Sequence, residues 1–279
     1  MADMGVTEMT SNDLALAVVQ ETLREKTRLL PTVSLYEAPK GSQSVRVPRR
    51  DQFSAESKGE NSALTSQALT FSYDEITLNK QRSVLSRVED IASIQSSSDI
   101  NAEILKDMAA ELAKAVDAAI IAELRSASSS GPDHAHDFAA SDDSIAVADI
   151  VNARRLLREQ YVPMDDGKLW MVIAPNQEAE MLKIENFIDS SRYGSEAPIV
   201  SGFIGKCYGF NVAVNADLTD YDALFYHSSA VGVAFSQSPS FETARDLSNV
   251  ATEYLASCIF GAKVLNSGKN CVLYSGLGS

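Results

Sequence analysis

The chain has 279 residues, 45% hydrophobic, 7% aromatic and 22% charged, and a chain this long can bury a sizeable core without covalent staples. Its 24 basic residues face 38 acidic ones, a net charge of −14 at pH 7. That balance argues against a protein that seizes nucleic acid by neutralising phosphates, which needs a basic face. The longest uninterrupted apolar run, Leu169 to Ala174, falls far short of the ~18 residues of a membrane span. No basic residue precedes Arg24 and no apolar core precedes it, so no secretory signal is expected. The cysteines, Cys207, Cys258 and Cys271, are odd in number and far apart. They read as buried free thiols, with neither a disulfide framework nor a zinc ribbon.

In chain order, the first element is a short amphipathic helix. Asn12 and Asp13 are its cap candidates, Leu14, Val18, Val19 and Leu23 its apolar stripe, and it ends ahead of Pro31. Strand-like alternation at Ser44 to Val47 and at Leu69 to Tyr73 brackets a polar tract, Asp51 to Gln67, in which Phe53 and Leu64 are the large apolar residues. This predicts a projecting two-stranded ribbon. Arg46, Arg49 and Arg50 form a basic cluster at its start. A lone hairpin is marginal in water, so such a ribbon is expected to rest on something else. Ile76, Leu78, Val84 and Val88 then return the chain to the body.

The clearest element follows. Ser98 or Asp99 caps a helix whose apolar positions step by four from Ile100 through Ile104, Met108, Leu112, Val116 and Ile120 to Leu124. Ending near Arg125, it is about 40 Å long at the α-helical rise. Ser126 to Asp143 reads as a loop. A second helix is expected with Ile145, Ala148, Val151 and Leu156 on its buried side. A buried strand at Lys168 to Ala174 precedes a helix from Pro175 to about Ile184, with Pro175 at its first turn. Residues 185 to 200 read as irregular. Short strands are expected around Gly205 and Gly209, at Ala223 to Tyr226, at Val231 to Phe235, at Thr252 to Val264 and at Cys271 to Tyr274, the last two joined by a turn at Asn266–Gly268.

Chemistry is thinly signalled. His134-Ala135-His136-Asp137 is the one cluster that resembles a metal or acid–base site, and His227 is the only further histidine. No Walker loop and no G-x-S-x-G occurs. The abundant carboxylates are those of any solvated face on so acidic a chain. No catalytic residue, cofactor or metal is expected, and the chain does not read as an enzyme.

The order of these parts resembles the major capsid proteins of tailed bacteriophages, the Hong Kong 97 type. The residues that carry the resemblance are Val45-Arg46-Val47-Pro48 opening the ribbon, and Tyr73-Asp74-Glu75-Ile76-Thr77-Leu78 with Lys80 closing it. Further on are the helix from Ser98 to Arg125 with Asp117-Ala118 in its late run, Leu169-Trp170-Met171-Val172-Ile173-Ala174-Pro175, and Ile204-Gly205-Lys206-Cys207-Tyr208-Gly209-Phe210-Asn211-Val212.

The resemblance implies an α+β capsid fold. Its parts would be an N-terminal arm (1–38), an extended β-ribbon loop (39–75), a peripheral domain on a spine helix at about 98–125 (76–181), an axial domain (182–246) and return strands of the peripheral domain (247–279). It implies a structural protein that self-assembles as hexamers and pentamers of an icosahedral shell. The shell would enclose double-stranded DNA, which it touches weakly and without sequence preference. Portal and scaffolding proteins are its implied partners, the latter separate because only some thirty residues precede the ribbon. The implied location is the virion, after assembly in the host bacterial cytoplasm and with no membrane contact. Arg46, Arg49, Arg50 and Lys58 are the candidate inter-subunit contacts. Lys58 with Asn266 or Asn270 offers residue types of an isopeptide cross-link, yet no acidic residue follows Glu253, and no such link is expected. Two other readings stand beside this one: an encapsulin-like nanocompartment shell, and a metal-dependent hydrolase using His134 and His136.

Overall fold

The computed structural model describes residues 29–39, 41–50, 55, 57–58, 60, 66, 71–90, 100–128, 135–138, 144–184, 205–218 and 221–275. The expected helix from Asn12, the caps Ser98 and Asp99, residues 185 to 200 and most of the polar tract lie outside the described residues.

The strands are β1 (Ser34–Glu37), β2 (Ser44–Arg50), β3 (Phe71–Thr77), β4 (Lys80–Glu89), β5 (Ala135–Asp137), β6 (Leu169–Ile173), β7 (Lys206–Cys207), β8 (Phe210–Val214), β9 (Asp222–His227), β10 (Val231–Asp246), β11 (Ala251–Val264) and β12 (Cys271–Ser275). The α-helices are α1 (Ile100–Ser128), α2 (Val147–Glu159) and α3 (Pro175–Lys183). The strands form a four-stranded sheet in the order β1-β10-β11-β4, a six-stranded sheet in the order β5-β12-β9-β6-β8-β7, and the two-stranded ribbon β2-β3.

Helix α1 lies between the two larger sheets because it is apolar around more than one stripe. Met108, Leu112, Val116, Ile120 and Leu124 are buried as their four-residue spacing predicts, and Leu105, Ala109, Ala113, Ala119 and Ile121 are buried beside them. One core joins these residues to Val231, Val233, Ala256, Cys258 and Phe260 of the four-stranded sheet and to Val172, Leu224, Tyr226 and Leu273 of the six-stranded one. The alanines let the backbones approach. Burying side chains of this size stabilises the fold by about 1.5–3 kcal/mol each relative to exposure.

Strand β6 is buried on both faces, as its unbroken apolar run suggests. Val172 faces α1, while Leu169, Met171 and Ile173 face a second core holding Ile150, Ala153 and Leu157 of α2 and Met181 of α3.

Three expectations are corrected. Helix α2 buries Ile150, Ala153, Leu156 and Leu157 and leaves Ala148 and Val151 exposed. Its phase is set by its start: the Asp149 carboxylate accepts the Ala146 N–H at 2.9 Å, so Ile145 is buried ahead of the helix and not on its face. The expected loop after α1 contains β5, whose residues pair in parallel with Leu273–Ser275. A strand this short and polar has no periodicity of its own. Strand β10 runs on past Phe235 to Asp246, through a polar stretch with Pro239, because it pairs antiparallel with β11 along its length across two register shifts. Residues 34–37 pair in parallel with Gly232–Phe235 at the edge of the four-stranded sheet.

β10 joins β11 in the four-stranded sheet, and β6 and β12 join β9 in the six-stranded one.

Candidate assembly surface

The ribbon pairs Ser44–Arg50 with Phe71–Thr77 in antiparallel register, Arg46 opposite Glu75 and Pro48 opposite Tyr73. Alternation gives it two unlike faces. Ile76 is fully buried at the base and packs in a small cluster with Leu78, Ala234 and Leu265, joined by Tyr36, Val45 and Val47. Phe71 and Tyr73 lie on the other face, 66% and 56% exposed.

Three contacts fix the ribbon to the body. The backbone N–H of Asn266 donates to Oδ2 of Asp74 at 2.8 Å. Arg49 donates through Nη1 to the Ser267 hydroxyl at 3.0 Å. Gly261 packs so close that a Cβ there would overlap the Thr77 carbonyl. Asn266 and Ser267 both have φ of 53°, a left-handed conformation that costs residues with a Cβ. Asp74 and Arg49 hold the turn from outside it.

Each expected contact residue can now be placed. Arg46 forms an ion pair with Glu75 (Nε to Oε1, 3.7 Å) and stacks over the Tyr73 ring at 4.7 Å from its centroid. Both charged groups are largely exposed, so the pair adds little to stability. Besides Ser267, Arg49 donates through Nε to the Ser72 hydroxyl at 3.1 Å. Arg50 is the last residue of β2, and Lys58 is exposed. Within one subunit, then, Arg46 and Arg49 brace the ribbon itself.

The histidine cluster does not assemble a site among the described residues. His134 lies outside them, and His136 sits on β5 with its ring stacked on Tyr274, centroids 5.3 Å apart. Among the described residues no three potential metal ligands converge.

Sequence reasoning missed one polar constellation. His227 Nδ1 accepts the Ser229 N–H at 3.2 Å, which leaves the proton on Nε2, and Nε2 meets Asp166 Oδ2 at 2.8 Å. That contact with His227 holds the Asp166 carboxyl below its ordinary range, against the opposing effect of burial. The Ser229 hydroxyl lies 2.8 Å from Nδ1 and accepts from Asn270 Nδ2 at 2.7 Å. These are the residue types of a hydrolytic triad, arranged as a tie between three loops. Asp166 precedes β6, Ser229 follows β9 and Asn270 precedes β12, and residues so far apart in sequence show no spacing to detect.

The cysteines are inert by environment. Burial pushes the Cys207 and Cys271 thiols up to about 12, so neither carries useful thiolate near neutral pH.

With this geometry in place, the family can be stated. A family model described as "Phage capsid protein" matches residues 84–272. The chain belongs to the phage capsid protein family. Membership makes it a structural protein of the capsid. Solved structures share its fold at low identity. A Mycobacterium phage Che8 chain is 19% identical with a TM-score of 0.69, covering 85% of this chain and 86% of that one. A capsid chain of cyanophage P-SCSP1u is 15% identical with a TM-score of 0.69, covering 89% and 87%. A virus-like particle from Pyrococcus furiosus is 14% identical with a TM-score of 0.64, covering 94% and 98%. The fold is thus the Hong Kong 97 type that the order of motifs implied. No curated protein sequence is a match.

Proposed function

We propose that this capsid protein is the major shell subunit of a tailed phage, assembling as hexamers and pentamers into an icosahedral shell around double-stranded DNA. The observation that carries the reading is the capsid family match across both sheets and α1. In this reading α1 with the four-stranded sheet is the peripheral domain, and the six-stranded sheet with α2 and α3 is the axial domain. The ribbon is the extended loop, and residues before Leu29 are the arm.

The ribbon supports the reading physically. Its base is locked to the body while Phe71 and Tyr73 stay exposed on one face, and a neighbouring subunit would cover that face. Arg46, Arg50 and Lys58 would meet carboxylates of that neighbour, since the chain is strongly acidic elsewhere and arginine pairs bidentately with carboxylate, while Arg49, bonded to Ser267 on the other face, holds the ribbon in place for that contact. Acidity also suits the inner wall of a DNA container, because tight phosphate binding would hinder genome entry and release. A scaffolding protein and a portal complete the assembly, which takes place in the host cytoplasm.

The experiment is nuclease treatment of purified particles followed by DNA extraction. Protected double-stranded DNA of uniform length supports the phage shell. An encapsulin-like nanocompartment shell is the second reading, since the fold is also that of a virus-like particle from Pyrococcus furiosus, and it predicts particles holding a protein cargo and no protected genome. Reversing Arg50 and Lys58 to glutamate tests the ribbon contacts separately. The variant subunit should fold normally yet sediment without shells, and wild-type shells would remove Arg50 and Lys58 from the interface.

A further inference from the structure

Two exposed tyrosines occupy backbone positions that a fold ordinarily gives to glycine or asparagine. Helix α2 ends in a paired C-terminal cap: the Val162 N–H donates to the Leu157 carbonyl at 3.2 Å and the Tyr161 N–H to the Arg158 carbonyl at 3.0 Å. The residue inside such a cap is left-handed and most often glycine. Here it is Tyr161, at φ 58°. The β7–β8 hairpin turns through Tyr208 and Gly209, both at positive φ (46° and 90°), the pattern of a two-residue turn whose first position favours asparagine or glycine. Neither ring is buried: Tyr161 is 86% exposed and Tyr208 42%. Nothing among the described residues accounts for a bulky aromatic residue at either place.

Helix α2 links the two tyrosines, since Tyr161 caps its C-terminal end and its Arg154 reaches the turn of Tyr208. The Arg154 guanidinium, on the last turns of α2, donates to the Tyr208 carbonyl, and a Cβ on Gly209 would collide with the same guanidinium. Around them Arg155, Arg158 and Lys206 are exposed. Between Asn152 and Gln160, and along the hairpin from Lys206 to Val214, Glu159 is the one acidic residue, and it is paired with Arg155. The adjoining loop adds Asp165 and Asp166 with Lys168, and Asn211 of the hairpin donates to its Gly167 carbonyl. Arg154, Arg155, Arg158, Lys168 and Lys206 still outnumber Glu159, Asp165 and Asp166 here, on a chain of net charge −14.

We propose that this patch, with Tyr161 and Tyr208 framed by Arg155, Arg158 and Lys206, is one half of a heterologous contact between neighbouring copies of this chain. The other half is an acidic surface of the next copy. The inference rests on the shell-forming function proposed above. Charge dictates the geometry. A two-fold contact would set the patch against itself, like charge on like, whereas a head-to-tail contact sets it against the acidic excess found elsewhere on the chain. Head-to-tail contacts close into rings, the form that five- and six-membered capsomers need. Tyrosine and arginine are also the side chains that most often carry binding energy in such contacts.

The backbone geometry supplies a test that spares the fold. Tyr161→Gly with Tyr208→Asn places preferred residues at both turns, so the thermal midpoint should stay level or rise. The same variant should need at least about tenfold more protein to form rings or shells in sedimentation velocity, 1.4 kcal/mol per tenfold step. Arg155→Glu with Arg158→Glu should lose assembly further and remain folded. Lys106→Glu with Lys263→Glu, the same charge change at exposed positions elsewhere, should assemble as wild type. Wild-type assembly by the tyrosine and arginine variants overturns the proposal, as does equal failure of the lysine control, which would make bulk charge the cause. Variants that assemble normally but lose co-purifying nucleic acid overturn it too, by assigning the patch to a polyanion. A wild-type chain that forms no assembly at all sinks the shell function itself and this contact with it.

Discussion

The backbone N–H of Leu29 donates to Oδ1 of Asp117 across 3.3 Å inside the main core. Leu29 is fully buried, Asp117 is 4% exposed, and they lie 88 residues apart in sequence. A carboxylate in the middle of a buried helix costs desolvation unless it is bonded. Here it receives the amide that opens the described chain. Beside it the Thr32 hydroxyl donates to the Leu29 carbonyl at 2.7 Å and lies 2.6 Å from the Tyr226 hydroxyl. These groups form a polar clasp that fastens the first residues of the body to α1 and β9.

Asp117→Ala leaves that buried amide without its carboxylate. The expected loss is about 1–3 kcal/mol, read as a lower urea midpoint at unchanged denaturant slope. A midpoint within error of wild type would show that the clasp contributes nothing.

The clasp also sets where truncation becomes harmful. Removing residues 1 to 28 keeps Leu29 and β1, so circular dichroism and cooperative unfolding should survive while shell yield falls. Removing residues 1 to 37 strips β1 from the edge of the four-stranded sheet and should abolish the cooperative transition. If both truncations unfold alike, the body starts earlier in the chain than Leu29.

Leu112 is 1% exposed in the stripe of α1 that faces both sheets. Leu112→Ala should cost about 2–5 kcal/mol, the range for deleting a packed leucine side chain. Equilibrium urea unfolding measures it, and a cost near zero would mean that α1 is not the shared core element.

Some of this was legible in advance and some was not, for physical reasons. Helix α1 and strand β6 announce themselves because burial imposes a period on α1 and an unbroken apolar run on β6. The ribbon was legible from composition, since a tract so poor in large apolar residues cannot fold into a core. Strand β5 and the far half of β10 were not, because their pairing comes from β12 and β11 and not from their own residues. The buried face of α2 was mistaken by the phase of one helix start, fixed by Asp149. The Asp166–His227–Ser229–Asn270 tie and the Leu29–Asp117 bond join distant residues, and a single sequence holds no trace of either.

Tyr226 ties stability to alkaline pH. Burial raises its hydroxyl well above the ordinary value of 10.0, and Asp117 pushes the same way against the Thr32 hydrogen bond. The unfolded chain releases this proton near the ordinary value while the folded chain retains it. Its contribution is therefore complete below that value and declines as pH rises toward the folded one. Tyr226→Phe should flatten the loss of urea stability between about pH 9 and 11. It should cost about 0.5–1.5 kcal/mol at neutral pH through the lost hydrogen bond. An unchanged alkaline slope would show that Tyr226 is not the group that titrates.

The central claim is that copies of this chain build a closed shell, and electron microscopy of the concentrated, purified full-length protein tests it most directly. The predicted images show rings of five and six subunits and closed particles of icosahedral symmetry. Single subunits at every concentration, with sedimentation fitting one monomeric species, would contradict the claim.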